Sequence, residues 1–188
     1  MSTLQVNTIN ESTSTSGVTI DGVLIKDGLV DGKDVSTLST GGLSAAQQFR
    51  LTANITTSGF NDITSNLEVP DTENQGNMGS LVTNSSGIFS FSETGYYAVI
   101  VQASVNNIQS RIYTFATNDN NTYTEVSWAG IISDSGGAVG FSLIILDVTN
   151  TTNDKVKFQS YMQTNSGTIY GSSTATRTAF TFLKLGAT

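Results

Sequence analysis

Three Asp-Gly pairs, Asp21-Gly22, Asp27-Gly28 and Asp31-Gly32, punctuate the stretch from Gly17 to Ser36. Each is a strong turn signal, because glycine accepts the positive φ that tight turns demand. Between them, Val18/Ile20 and Val23/Ile25 alternate with the two-residue period of strands. No aromatic residue occurs before Phe49, and the apolar residues up to Leu43 are too few to close a core. A segment patterned to fold but unable to bury its own apolar face needs identical neighbours. The sequence therefore predicts the stem of an intertwined oligomer and argues against an enzyme.

Charge narrows the partners. The formal net charge is −7 over 188 residues, with no basic footprint for nucleic acid or anionic lipid. Only 12% of residues are charged, against roughly 25% in ordinary domains. Ser, Thr and Asn carry the polarity instead, which suits exposed strands and turns better than helix surfaces. Cysteine is absent, so there is no disulfide framework. The start, Met-Ser-Thr-Leu-Gln-Val-Asn, has neither the basic nor the apolar region of a secretory signal. No run approaches the roughly 18 apolar residues of a membrane span. The expectation is a product made in the cytoplasm, with no nucleic-acid partner and no membrane insertion.

Composition breaks near residue 44, dividing an N-terminal attachment or stem segment, 1–43, from a head, 44–188. The linker Ser39–Gln48 joins a Gly pair to a predicted single helical turn with Ser44 as its N-cap. The head reads as all-β: strands are predicted at 49–56, 62–67, 80–83, 88–91, 95–106, 111–117, 125–132, 140–148, 155–163 and 176–185. Many short strands separated by Gly/Asn/Asp/Ser clusters indicate a sandwich or jelly roll. In 95–106, Tyr97, Val99, Val101, Ala103 and Val105 share one face, whereas the other drifts from Tyr96 and Ile100 to Gln102 and Ser104. In 140–148 both faces are apolar, Phe141, Leu143 and Ile145 opposing Ile144, Leu146 and Val148. A strand apolar on both sides of a small sandwich predicts that one side meets another subunit.

Site chemistry is sparse. Without His or Cys, the commonest general base, the thiol nucleophile and the best transition-metal ligands are missing. Glu68, Asp71 and Glu73 form the one cluster of acids a glycosidase could draw on, but acids in a polar loop are usually solvated, so no catalytic residue is assigned. Asp71/Glu73/Asn74 and Asn118–Asn121 offer oxygens to Ca2+ without the spacing of a dedicated loop, and no cofactor or metal is expected. Trp128, Tyr113, Tyr123, Tyr161 and Tyr170 are aromatic residues that could stack on a sugar. For Trp128 a core or subunit-interface role is favoured. Tyr123 and Tyr170 adjoin polar loops and are the receptor-contact candidates.

The segment Gly87-Ile-Phe89-Ser-Phe-Ser-Glu-Thr-Gly95-Tyr96-Tyr97 resembles the Gly-x-Phe…Gly-Tyr-Tyr pattern of the C1q/tumour-necrosis-factor family of trimeric jelly rolls. Asn153-Asp154-Lys155-Val156 is similar to that family's late Gly-Asp-x-Val turn, and Phe180-Thr-Phe-Leu-Lys-Leu185 to its closing Phe-x-Gly-x-x-Leu, each without the glycine. The run from Ile9 to Gly28 looks like a module of tailed-phage structural proteins, and Leu29–Ser36 is similar to a Val-Asp-Gly-Arg-Asp-Val motif of phage tail fibres. Together these resemblances imply an all-β C1q/TNF-like jelly-roll head preceded by an extended, β-structured trimeric stem. They imply a non-enzymatic homotrimer on the virion surface: a short fibre or spike whose N-terminus attaches to other virion proteins of capsid or tail, and whose knob contacts a host surface glycan or protein. A capsid decoration protein and a free C1q-like lectin are the alternatives. Trimerisation would bury Val18, Ile20, Val23, Ile25, Leu29 and Val35 in the stem and Phe89, Tyr97, Phe141 and Phe180 in the head. Roughly forty stem residues, fully extended, would reach at most about 130 Å.

Overall fold

The computed structural model describes residues 18–20, 23–26, 29–30, 33–34, 43, 45–106, 109–130 and 137–188. Among these every regular element is a strand. The chain divides into two compact units, Met1–Gly42 and Leu43–Thr188.

In the first unit, β1 (Val18–Ile20), β2 (Val23–Lys26), β3 (Leu29–Val30) and β4 (Lys33–Asp34) form an antiparallel meander in sequence order. Ile20 pairs with Val23, Lys26 with Leu29, and Val30 with Lys33. The Asp-Gly pairs predicted as turns lie outside the described residues. The strands double back on one another within one chain, so the segment does not run out at its fully extended length. Register also sorts the predicted stem residues. Val18 pairs with Ile25, Ile20 with Val23, and Ile25 also with Val30, so these fall at matching positions. Leu29 pairs with Lys26 and Asp34, and Val30 with Ile25 and Lys33. Val35 lies outside the described residues.

The second unit is a two-sheet jelly roll. Its strands are β5 (Ala46–Leu51), β6 (Gly59–Asp62), β7 (Leu67–Glu68), β8 (Val82–Ser85), β9 (Ile88–Phe91), β10 (Gly95–Asn106), β11 (Ser110–Thr117), β12 (Thr124–Gly130), β13 (Gly137–Val148), β14 (Lys155–Met162), β15 (Thr168–Ile169) and β16 (Ala179–Gly186). One sheet runs β13-β10-β16-β5-β7, with β15 extending the β16 side of β10; the other runs β12-β11-β14-β9-β8, with β6 pairing β14. All pairings are antiparallel. The predicted helical turn is absent: Ala46–Leu51 is strand, its pairing with β16 and an Ala46–Met78 bridge outweighing the helix propensity of the Ala-Ala-Gln-Gln run.

The inner faces meet in an aromatic core. Tyr97, Val99, Val101, Ala103 and Val105 of β10 are buried, as their alternation predicts. Phe49, Phe89, Phe91, Phe158, Phe180 and Phe182 interlock across the gap, with Phe158 stacked on Phe180 at 4.1 Å and Phe89 edge-on to Phe49 at 5.1 Å. Tyr97 donates its hydroxyl to the Glu93 carbonyl at 2.9 Å; burial, with the Glu93 charge second, raises its pKa above the ordinary value.

Two glycines of the quoted motif are sterically required. Gly87 has φ +84°, and a Cβ there would sit 2.2 Å from the Ile63 carbonyl oxygen; one on Gly95, φ +146°, would meet the Gly186 carbonyl oxygen at 2.4 Å. The missing glycine before Asp154 is not needed. Asp154 Oδ2 accepts from the backbone N–H groups of Thr149 and Asn150 at 2.7 and 2.8 Å and closes the turn, with no positive φ at Asn153.

Candidate functional site: the two outer sheet faces

On the outer face of the first sheet, β13 presents a continuous apolar row. Val139, Phe141, Leu143 and Ile145 are 50%, 65%, 60% and 54% exposed. Register sets this row beside β10, pairing Phe141 with Gln102, Leu143 with Ile100, and Ile145 with Ala98. Tyr96 and Leu185 extend the exposed surface. Among the described residues β13 pairs with β10 alone, so the row sits at a sheet edge. Four large hydrophobics in succession on one strand form a contiguous patch of the kind that marks an interaction surface. Of the four head residues proposed from sequence, Phe89, Tyr97 and Phe180 are fully buried in the core, whereas Phe141 stands outside it on this face.

The outer face of the second sheet is aromatic and partly basic. One cross-strand row reads Phe60, Tyr161, Arg111; the next reads Asp62, Gln159, Tyr113, Trp128. Phe60 lies 4.6 Å from Tyr161 and 5.4 Å from Tyr113, centroid to centroid. Arg111 covers Trp128 at 4.8 Å and donates Nη1 to Tyr113 Oη at 2.9 Å. Lys157 lies over Phe115 and Tyr123, at 5.8 and 5.2 Å, and pairs with Asp62 at 3.1 Å. Trp128, favoured by sequence for the core or an interface, is not in the core: it is 40% exposed. Phe60, 60% exposed, was missed by sequence; its only signal is one aromatic in the polar run Ser-Gly-Phe-Asn-Asp.

The two receptor-contact candidates are not brought together. Tyr123 adjoins the aromatic face through Lys157; its hydroxyl is buried without a partner, and burial, then Asp119 and Asp62, raises its pKa. Tyr170 follows β15 of the other sheet, with Arg177 5.7 Å from its ring.

The loop acids have structural work. Arg50, wholly buried, donates Nε to Glu68 at 2.6 Å, Nη2 to Asp71 at 3.2 Å and to the Ser173 carbonyl, and Nη1 to Thr72 at 2.9 Å. Two of the three acids, Glu68 at the end of β7 and Asp71 in the loop after it, are thereby tied to Arg50 on β5. Asp119 accepts from the Thr117 hydroxyl at 2.7 Å and the N–H groups of Asn121 and Thr122 at 2.9 and 2.7 Å, and these bonds, led by Thr117, hold its pKa far below the ordinary carboxylate range. Among the described residues, no three Asp, Glu, His or Cys side chains gather as a metal site.

Solved structures with this architecture define its class. The chain is similar to Eiger TNF from S. frugiperda (TM-score 0.54, 15% identity, covering 78% of this chain and 96% of that one). It is similar to murine APRIL (0.53, 10%, 75% and 98%) and to the globular domain of zebrafish complement 1qA (0.50, 12%, 77% and 99%). The head therefore has the TNF/C1q-like jelly-roll fold, as its motifs imply. No protein-family model and no curated protein sequence matches the chain. Among the described residues no helix is long and apolar enough to cross a membrane.

Proposed function

We propose that this chain is the subunit of a homotrimeric, non-enzymatic protein of a phage virion surface, a short fibre or spike. The 1–43 segment attaches to the particle and the knob contacts the host. The observation that carries the trimer is the exposed β13 row: four neighbouring hydrophobics at a sheet edge that would gain burial against another subunit. The TNF/C1q-like fold is consistent with threefold packing of such faces, and the phage-like motifs between Ile9 and Ser36 support the virion assignment. A non-enzymatic role is supported by the lack of His and Cys and by the commitment of Glu68 and Asp71 to Arg50.

Size-exclusion chromatography with light scattering tests the assembly. The expected mass is three times the 19.8 kDa of one chain; a monomeric mass overturns the reading. Binding of the purified protein to phage tails and to capsids, assayed separately, tests placement. Capture by capsids alone replaces the fibre by a decoration protein, and capture by neither removes the virion assignment.

A further inference from the structure

The β13 row accounts for one outer face and leaves the aromatic one without a role. Neither Phe60 nor Trp128 gains much from the fold as it stands, since each leaves a large part of its surface in solvent. We propose that this face, centred on Arg111 and Trp128, binds an acidic polysaccharide, an inference that rests on the host-contact role given to the knob. A pyranose has a flat C–H face and a rim of hydroxyls, so its sites combine an aromatic surface with a few placed polar groups. Both are present here. Phe60, Tyr161 and Trp128 supply rings, while Gln159 and Asp62, joined by a 2.7 Å hydrogen bond, supply planar polar groups between them. The rows cross four strands, about 14 Å at the usual strand spacing, which accommodates a short oligosaccharide.

Charge selects an acidic ligand. The chain carries eight Lys and Arg residues and a net charge of −7. Arg111, Lys155 and Lys157 belong to β11 and β14 at outward register positions of this sheet, where Asp62, paired with Lys157, and Glu125, opposite Phe115, offset two of the three charges. Among the described residues Arg111 makes no ion pair with an acid. Its guanidinium is held over Trp128 and against Tyr113, where Nη1 donates to the Tyr113 hydroxyl and no carboxylate competes for it. A guanidinium positioned this way, with donors unspent, matches a carboxylate. The attraction for an acidic ligand is therefore local to the Arg111 guanidinium, against a chain whose overall charge is negative. A neutral glycan would leave Arg111 unused.

The test is calorimetric titration of the full-length protein in its native assembly. The probes are tetragalacturonate, a hyaluronan tetrasaccharide and sialyllactose, with cellotetraose and maltotetraose as neutral counterparts. At least one acidic probe binds, more weakly at high salt. Its affinity falls about tenfold or more in Arg111→Gln and in Trp128→Ala, falls less in Phe60→Ala, and is unchanged in Arg177→Gln, which lies in the loop before β16 and not on this face. Failure of every acidic probe, equal binding of neutral ones, or indifference to Arg111→Gln and Trp128→Ala overturns the proposal. So does a change of oligomeric mass in Trp128→Ala, which would make the face a subunit contact. A monomeric wild type that binds as described sinks the trimer and leaves this site standing.

Discussion

Phe141→Asp combined with Leu143→Asp tests the exposed β13 row directly. Complete burial of side chains of this size is worth about 1.5–3 kcal/mol each. With roughly two-thirds of their surface still exposed, Phe141 and Leu143 each have about 1–2 kcal/mol left to gain, and Val139 and Ile145 somewhat less. The paired substitution therefore forfeits about 3 kcal/mol per subunit, or about 9 kcal/mol over a trimer. Any carboxylate that stays covered adds a desolvation cost of several kcal/mol. Since each tenfold change in an equilibrium constant is about 1.4 kcal/mol, a trimer held by this face should dissociate at micromolar concentration. Both positions are exposed in the single chain, so the head itself should keep its stability to within about 0.5 kcal/mol. Light scattering should report the mass of one chain, while far-ultraviolet circular dichroism retains the strand signal. A doubly substituted protein that keeps the wild-type mass refutes the reasoning.

Three further outcomes follow from named contacts. Glu68→Ala leaves the buried Arg50 guanidinium without its 2.6 Å partner and should cost about 2–4 kcal/mol in denaturant melts; Asp71→Ala, removing a 3.2 Å partner that is 80% exposed, should cost under about 1 kcal/mol. Asp119 has a folded pKa depressed by its loop bonds, so the stability it confers is complete above the unfolded carboxylate value and lost as pH falls through the folded one. The stability gap between wild type and Asp119→Ala, measured by denaturant unfolding across pH, should be constant near neutrality and shrink only in strong acid; a gap that closes between pH 6 and 8 contradicts this. Val23→Asp with Ile25→Asp should lower the oligomeric mass while the head's strand signal survives, and an unchanged mass would show that 1–43 contributes nothing to assembly.

Alternation made the long strands legible. Ile88–Phe91 and Gly95–Asn106 begin and end where the sequence places them, and β14 stops one residue before its predicted end. The two apolar sides of β13 were readable for the same reason, one now lying against the core and the other exposed. What was not legible depends on partners distant in the chain. The predicted strand at 62–67 is instead the end of β6 and the start of β7, two short edge pieces held by β14 and β5. Phe60 acquires its place only because β6 lies beside Tyr161. Arg50 reads as one charge beside Phe49 and Leu51; its acids, Glu68 on β7 and Asp71 in the loop after it, are brought near only by the pairing of β7 with β5. The aromatic face joins residues of four strands, and no local window holds more than a fragment of it.

The pairing of β5 with β16 sets Phe49 against Phe180, so the first and last strands of the head are neighbours. During synthesis the first sheet cannot be completed early: until β16 leaves the ribosome, β10 has β13 on one side but not β16 on the other, and the Phe158 ring lacks Phe180 to stack on. Such long-range closure is slow and leaves strand edges exposed meanwhile. Premature termination inside β16 should accordingly yield aggregated or degraded chain instead of a smaller folded knob, which makes completion of the head depend on this one strand.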